Sequence, residues 1–408
     1  MKILLLLAFR NIFRNRRRTL MTLLVVVGGV SALLLAGGFF SCLFWRLREG
    51  TISAGLGHIQ IYNSDYFKRD ETRALENGLE NYRDLTTIAA NTPHVRGIAP
   101  RIEFFGMVSN GMKSGTFMAA AVDPAAETRM GFEPRILQGR NLQEHPGAGY
   151  EVLLGTGLAR SMGATPGTGL TLLAITADGA LNGIDVDVAG IMTTGFKEVD
   201  DRTLRLTLPA AQHLLQSGRV TKLIVGLDST ESTDAAYTAL QSRLGQRAPV
   251  TLKKWLELAT YYRQVRLMFS GMLVFLGIIV FFMVVMSSAN TLMMAMFERT
   301  REVGTMLAMG TPRRWVMTLF LMEGVLTGAL GAVVGVLAGS GIAELVNRAN
   351  LQMPAPPGTL NGFPFHVFHV PELMYGAALL VVVTLAAASL APAIRASRLR
   401  IVEALAHV

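Results

Sequence analysis

Read for polarity alone, the 408-residue chain consists of long uncharged runs set around one broad mixed stretch. Four runs carry no charged side chain: Thr19 to Trp45, Leu267 to Phe297, Gly324 to Ala343 and Leu373 to Ile394. An α-helix crosses bilayer hydrocarbon in about 20 apolar residues, so each run is long enough to span. The pattern predicts transmembrane helices at 19–45, 266–297, 315–346 and 372–394. Residues 46–265 read differently. GHIQIY, FMAAAV, LTLLAI, IDVDVAGI and KLIVGL are short, apolar-rich and often alternating, as strands are, whereas LPAAQHLL and STDAAYTALQSRLG have helical spacing and Pro or Ser start signals. The expected fold is therefore an α-helical membrane protein with four transmembrane helices and a large mixed α/β extracytoplasmic domain inserted between helices 1 and 2. TLKKWLELATYYRQVRLMF spaces Trp255, Leu258, Tyr262 and Val265 helically with no Gly or Pro until Gly271, which predicts one continuous helical stalk leading into the second span.

Charge orients this arrangement. Lys2, Arg10, Arg14, Arg16, Arg17 and Arg18 precede the first run, Arg299, Arg301, Arg313 and Arg314 separate the second from the third, and Arg395, Arg398 and Arg400 follow the fourth. Basic residues accumulate in the cytoplasmic loops of membrane proteins, so 1–18, 298–314 and 395–408 are expected there, with both termini cytoplasmic. The connection 347–371 carries only Arg348 among Lys and Arg and belongs on the opposite, extracytoplasmic side with the inserted domain. Residues 46–263 hold 23 Lys plus Arg against 23 Asp plus Glu, so the whole net charge of +9 sits in the membrane part. That basicity is orientation, and it gives no reason to invoke nucleic acid.

The same composition narrows the chemistry. A hydrophobic fraction of 51% and a mean hydropathy of +0.39 are those of a membrane protein. In MKILLLLAFRNIFRNRRRTL, Phe9, Ile12 and Phe13 fall on one helical face while Arg10, Arg14 and Arg17 follow one another on another. Residues 1–18 therefore suit an interfacial amphipathic helix, and plain topogenic charge explains them equally well. The first run exceeds the h-region of a cleaved signal, and Phe39 fits poorly three residues before Cys42 in a lipoprotein cleavage site. Cys42 is the single cysteine, so neither an internal disulfide nor a cysteine metal cluster can form. His366 and His369 in HVFH lack a third ligand, and no metal site is assigned. LLGTGLARSMGATPGTGLTLLA matches neither the dinucleotide nor the phosphate-loop spacing, and its glycines read as turns between a strand, a short helix and another strand. No catalytic residue is assigned, and the chain is not expected to be an enzyme by itself.

One charged stretch stands out among the uncharged runs. ERTREVGTMLAMGTPRRWV places Val303, Met306 and Leu307 on one face of a helix through Arg301 to Met309, with Glu298 and Arg301 spaced as an i,i+3 pair. Gly310 suits a left-handed helix end, Thr311 a cap and Pro312 the first position of the following helix. In the third run Gly324, Gly328, Gly331, Gly335 and Gly339 recur every three or four residues, which suits close helix packing in a dimer. Among the polar residues inside predicted spans, Asn290 and Glu323 are singled out; Glu323 is expected to face a protein partner or backbone donors, with Arg313 or Arg314 as candidate side-chain partners.

NTLMMAMFERTREVGTMLAMGTPRRWVMTLFLMEG, residues 290 to 324, resembles the signature of the FtsX-like (MacB/LolC-type) permease family of ABC transporters. FRNIFRNRRRTLMT, GHIQIY, MPAPPG at 353–358 and PAIRASRLRIVEAL resemble the same family. The resemblance implies a mechanotransmission machine: two permease subunits, identical or homologous, on a cytoplasmic ABC ATPase dimer that binds ATP and magnesium, with no cofactor on this chain. By that analogy Glu298, Arg299, Arg301, Glu302, Val303, Gly304, Met306, Leu307 and Gly310 form a coupling helix whose apolar ridge enters the ATPase. Order and length are most similar to the lipoprotein-releasing subfamily, which implies membrane lipid and a periplasmic acceptor protein as further partners. Ile401 stands where the closing motif usually has proline, and the first span departs from the principal subunits. Export of small hydrophobic compounds or peptides, and a non-transporting relay to an envelope enzyme, therefore stay open.

Overall fold

A computed structural model describes residues 2–14, 16–68, 75–143, 149–245, 248–354, 362–401 and 404. The chain forms two compact units, one of Met1–Trp45, Gln264–Met353 and Pro364–Val408, the other of Arg46–Arg263 and Pro354–Phe363.

The first unit is helical. A short N-terminal helix (Lys2–Arg14) precedes four long ones at Arg16–Thr51, Thr260–Glu298, Arg313–Ala349 and Pro371–Ser397. All four long helices have the length and composition to cross a membrane, and each contains one of the runs found by polarity. Their shared core is built from β-branched and leucine side chains: Val26, Val30 and Leu34 of the first helix, Val280 and Val284 of the second, Val381 and Leu385 of the fourth. In the N-terminal helix the expected face is corrected. Ala8 and Ile12 are buried, Ala8 against Leu319 of the third long helix, while Phe9 is exposed; the side chain of Phe13 lies outside the described part.

The glycine row also has a different use from the dimer packing expected of it. A methyl built on Gly324 would lie 2.7 Å from Ser389 Oγ and one on Gly328 3.1 Å from Val382 Cα, both on the fourth long helix. On Gly331, Gly335 and Gly339 the nearest atoms are Val26 Cγ1 at 2.5 Å, Val30 Cβ at 2.7 Å and Ser31 Cα at 3.1 Å, all on the first. The third helix thus spends its glycines on two neighbours within the same chain. Lipid offers no hydrophobic drive between helices, so backbone approach through small residues must supply the contact. Ser31 Oγ completes it with a 3.1 Å hydrogen bond to the Gly335 carbonyl.

The second unit is a mixed sheet of ten strands: β1 (Ile59–Asn63), β2 (Val95–Ser109), β3 (Ser114–Val122), β4 (Arg135–Gly139), β5 (Tyr150–Gly155), β6 (Gly169–Ile175), β7 (Leu181–Thr193), β8 (Thr203–Thr207), β9 (Lys222–Leu227) and β10 (Val250–Lys254). Their order is β10-β1-β9-β2-β3-β8-β5-β7-β4, with β6 bridging β2 and β7. The helices Leu208–Leu215 and Thr233–Leu244 form where their sequence signals placed them. In the glycine-rich run, β5 leads into the helix Thr156–Met162 and then β6, with Gly163 and Gly167 at φ 64° and 89° making the turns.

The continuous stalk is corrected. Residues Val250–Lys254 are strand, paired with β1 from Ile59↔Lys254 to Asn63↔Val250. A one-turn helix, Trp255–Leu258, follows and ends at Ala259, where φ −79° and ψ 66° interrupt it before the second long helix starts at Thr260. Ladder pairing outweighs the weak helical preference of TLKK, because tertiary context overrides propensities of a few tenths of a kcal/mol. Trp255 and Tyr262, placed on one face by the spacing, do meet, in a cluster with Ile52 and Ala259.

Beneath the sheet lies an ionic core that the sequence did not announce. Asp123 caps the helix Pro124–Met130 by accepting from the Ala126 amide at 3.1 Å, Pro124 starts it, and Gly131 at φ 74° ends it. That short helix carries Glu127, 3% exposed, whose carboxylate takes hydrogen bonds from both Arg101 and Arg205. Arg101 donates a further bond of 2.7 Å to the Gly55 carbonyl.

Candidate functional site

The charged stretch between the second and third long helices folds as a separate helix, Thr300–Ala308. Arg299 breaks the path before it with φ −108° and ψ 14°, and Gly310 at φ 89° ends it, as its glycine demands. The next helix begins one residue later than expected, with Pro312 as its cap in extended backbone and Arg313 as its first residue, so Thr311 is not the cap.

Orientation is the main correction here. Val303 and Leu307 are 2% and 8% exposed and pack with Met296, Val316, Phe320, Ala393 and Ala396, with Met306 partly buried beside them. Gly304 is buried as well, and a methyl on it would stand 2.7 Å from the Ala404 Cβ. The apolar ridge therefore faces the chain's own helices. Arg301, Glu302, Thr305, Ala308, Met309 and Gly310 are the exposed side. An amphipathic two-turn helix buries its apolar stripe on the nearest apolar surface, and here that surface is intramolecular.

Ion pairs fasten the stretch to the N-terminal segment. Glu302 accepts from Arg14 at 2.6 Å and Glu298 from Arg18 at 2.7 Å, so Glu298 is paired with Arg18 and not with Arg301. Deeper in, Glu323 is 5% exposed and accepts from Arg299 Nη1 at 2.8 Å and from Asn11 Nδ2 at 2.5 Å. Arg299 also donates to the Asn11 carbonyl at 3.1 Å. The expected partners Arg313 and Arg314 are not involved. They lie nine and ten residues before Glu323 on the same helix, about 14–15 Å along its axis, which is beyond the reach of their side chains. Asn290 sits exposed on the second long helix and joins none of these contacts.

Asn11, Arg14 and Arg18 are the residues that sequence reasoning missed as partners of this stretch. One signal was available: Asn11 is an uncharged polar side chain next to the buried Ile12. Such a side chain needs a partner when it faces protein. Nothing in the sequence could say that the partner was 312 residues away. What the arrangement can do is mechanical. A displacement of residues 298–308 would be carried to the N-terminal segment by two ion pairs and by the Arg299 hydrogen bond to Asn11, and through Arg299 and Glu323 to the third long helix. No group of three or more metal-ligating side chains occurs among the described residues.

Comparison with known proteins agrees with this architecture. Residues 19–243 match the MacB-like periplasmic core domain and residues 267–401 the FtsX-like permease C-terminal domain. The chain is 23% identical over 347 residues to the lipoprotein-releasing system transmembrane protein LolE of Haemophilus influenzae, covering 80% of this chain and 81% of that one. It is 23% identical over 346 residues to the LolC protein of the same system in Xylella fastidiosa, covering 81% and 82%. Among solved structures, the periplasmic region of MacB from Actinobacillus actinomycetemcomitans matches 52% of this chain and 95% of its own length at 14% identity, with a TM-score of 0.37. With the first of the two family matches alone covering more than half of the 408 residues, the chain belongs to the FtsX-like permease family of ABC transporters that carry a MacB-like periplasmic core domain.

Proposed function

We propose that this permease couples ATP hydrolysis in a separate cytoplasmic ATPase dimer, which holds the ATP and magnesium, to extraction of a lipidated protein, lipid or similar amphiphile from the inner membrane towards the periplasm. The observation that carries the coupling is the helix Thr300–Ala308: a short element between two membrane-length helices, fixed inward by its apolar face and by ionic contacts, and outward-facing with Arg301, Thr305, Ala308 and Met309. A surface so braced transmits a push without yielding. The choice of cargo rests on the relatives, two of which are named for lipoprotein release. A second permease subunit, identical or homologous, completes the assembly, and a periplasmic acceptor protein would receive the cargo.

The test follows the exposed side. Replacing Thr305 and Ala308 with Trp puts bulk where the ATPase would dock, and bulky insertions into a packed interface cost about 1–3 kcal/mol each. Every 1.4 kcal/mol or so is tenfold in affinity. The ATPase recovered with the tagged variant from detergent should therefore fall by at least about tenfold, with the permease itself present in normal amount. Full recovery of an active ATPase would overturn the coupling reading. Met306→Glu with Leu307→Glu tests something else: those side chains belong to the internal cluster, so that change should lower the thermal stability of the permease itself.

A further inference from the structure

In the second unit, which begins at Arg46 and so includes the end of the helix Arg16–Thr51, a histidine closes a directed chain of hydrogen bonds that ends on Glu49. His58 stands just before β1 and is 7% exposed. Its backbone is held on both sides: its amide donates to the Val225 carbonyl and its carbonyl accepts from the Trp255 amide, each at 2.9 Å. The Leu227 amide lies 3.1 Å from Nδ1 and can only donate. Nδ1 is therefore the acceptor nitrogen, and the proton of the neutral ring resides on Nε2. Nε2 then donates to Thr230 Oγ1 at 3.2 Å, and Thr230 spends its own hydroxyl proton on Glu49 Oε1 at 3.1 Å. Glu49 also accepts from Arg48 Nε at 2.9 Å, and Arg48 reaches Glu231 at 3.0 Å. Arg48 and Glu49 belong to the last turn of the first long helix, whereas Leu227, Thr230 and Glu231 lie at the end of β9 and in the loop after it.

Each proton in this chain has one place. We propose that His58 is a proton-operated latch: neutral, it ties the end of the first long helix to the loop after β9, and charged, it releases that loop. An imidazolium carries N–H on both nitrogens, so its Nδ1–H would confront the Leu227 N–H, donor against donor, at a buried position. Either the ring turns away from Leu227 or residues 227–231 move, and both outcomes break the link through Thr230 to Glu49. The charged groups that face the ring are Glu49 and Arg48 from the helix and Glu231 from the loop. From β10, Lys254 is occupied by Asp234 at 2.5 Å. Burial, the largest influence, pushes His58 below the ordinary imidazole value, opposed by Glu49 and Glu231 and reinforced by Arg48. The sign follows. The folded protein binds this proton less readily than the unfolded chain, so the latch is complete above about pH 6.5 and is lost as pH falls through the lower folded value.

Hydrogen exchange of the full-length protein in lipid nanodiscs, followed by mass spectrometry from pH 8 to pH 5 and corrected for intrinsic rates, reads the latch directly. Peptides covering 46–58 and 223–233 should lose protection together on acidification, by on the order of tenfold for each pH unit beyond the midpoint. His58→Asn keeps an acceptor for Leu227 and removes the titration, so its profile should be flat. If that variant fails to fold, Glu49→Gln keeps an oxygen for Thr230 and removes a charge that favours the imidazolium, so its midpoint should move to lower pH. Unchanged protection of wild type across the range would overturn the proposal. So would an acid transition that persists in His58→Asn.

Discussion

Each unit buries a carboxylate against arginine, and the two solve the problem differently. In the α/β unit Glu127 stands between two guanidiniums, Arg101 and Arg205, and the surplus positive charge is eased by the Gly55 carbonyl. In the helical unit Glu323 meets one guanidinium, Arg299, and an amide, Asn11. A folded α/β domain can tolerate a net charge inside because its backbone dipoles and nearby solvent answer it. Burial nevertheless pushes the Arg205 guanidinium down from its ordinary value against the pull of Glu127. A helix bundle in hydrocarbon has its backbone groups already committed within each helix, so a neutral amide is the cheaper second partner for a carboxylate. Both carboxylates join segments distant in the chain, 55, 101, 127 and 205 in one case and 11, 299 and 323 in the other. Buried charge here holds elements in place more than it adds to stability.

That comparison can be broken at either end. The largest effect is expected from Glu127→Gln, which leaves two buried guanidiniums facing one another without their shared anion. Breaking a buried pair from one side costs about 3–5 kcal/mol, and thermal unfolding of the detergent-solubilised chain should show the α/β unit melting well before the wild type. A melting point unchanged would mean that the two arginines find other acceptors. Glu323→Gln should cost less, about 1.5–3 kcal/mol for hydrogen bonds to a charged group, because Arg299 keeps the Asn11 carbonyl. Its signature is local: limited proteolysis should release the segment Lys2–Arg14 earlier than in wild type, and equal cleavage rates would show that Asn11 does not depend on Glu323. Smallest is the double change Arg14→Ala with Arg18→Ala. Both pairs have half-exposed carboxylates, and such surface pairs contribute about 0–1 kcal/mol. Thermal stability should hardly move, whereas ATPase stimulation by cargo should fall if these pairs carry motion from the helix Thr300–Ala308.

Much of the fold is legible in the sequence, and the reason is local physics. Uncharged runs of about 20 residues leave a chain few alternatives to membrane helices, and KLIVGL or LPAAQHLL declares its type through periodicity within six to eight residues. Gly310 had to end a helix because its position needed positive φ. Where local signals competed, the tertiary structure decided. Residues 251–254 read as helix and became strand once β1 offered a ladder on its open edge. Val303, Met306 and Leu307 were correctly placed on one face, but a helical wheel says which residues share a face and never what that face meets.

The sequence by itself determined the number of long helices, the insertion of a mixed α/β domain after the first of them, and the corner at Gly310, since each is set by residues within a turn or a span of one another. Only the tertiary structure decided that the glycines of the third helix serve its own neighbours, that Glu323 is answered by Asn11 and Arg299, that Glu127 sits between Arg101 and Arg205, and that His58 looks through Thr230 to Glu49. Those contacts join residues between 24 and 312 positions apart. A pairing over such a distance depends on how whole elements pack, which no window of the chain contains.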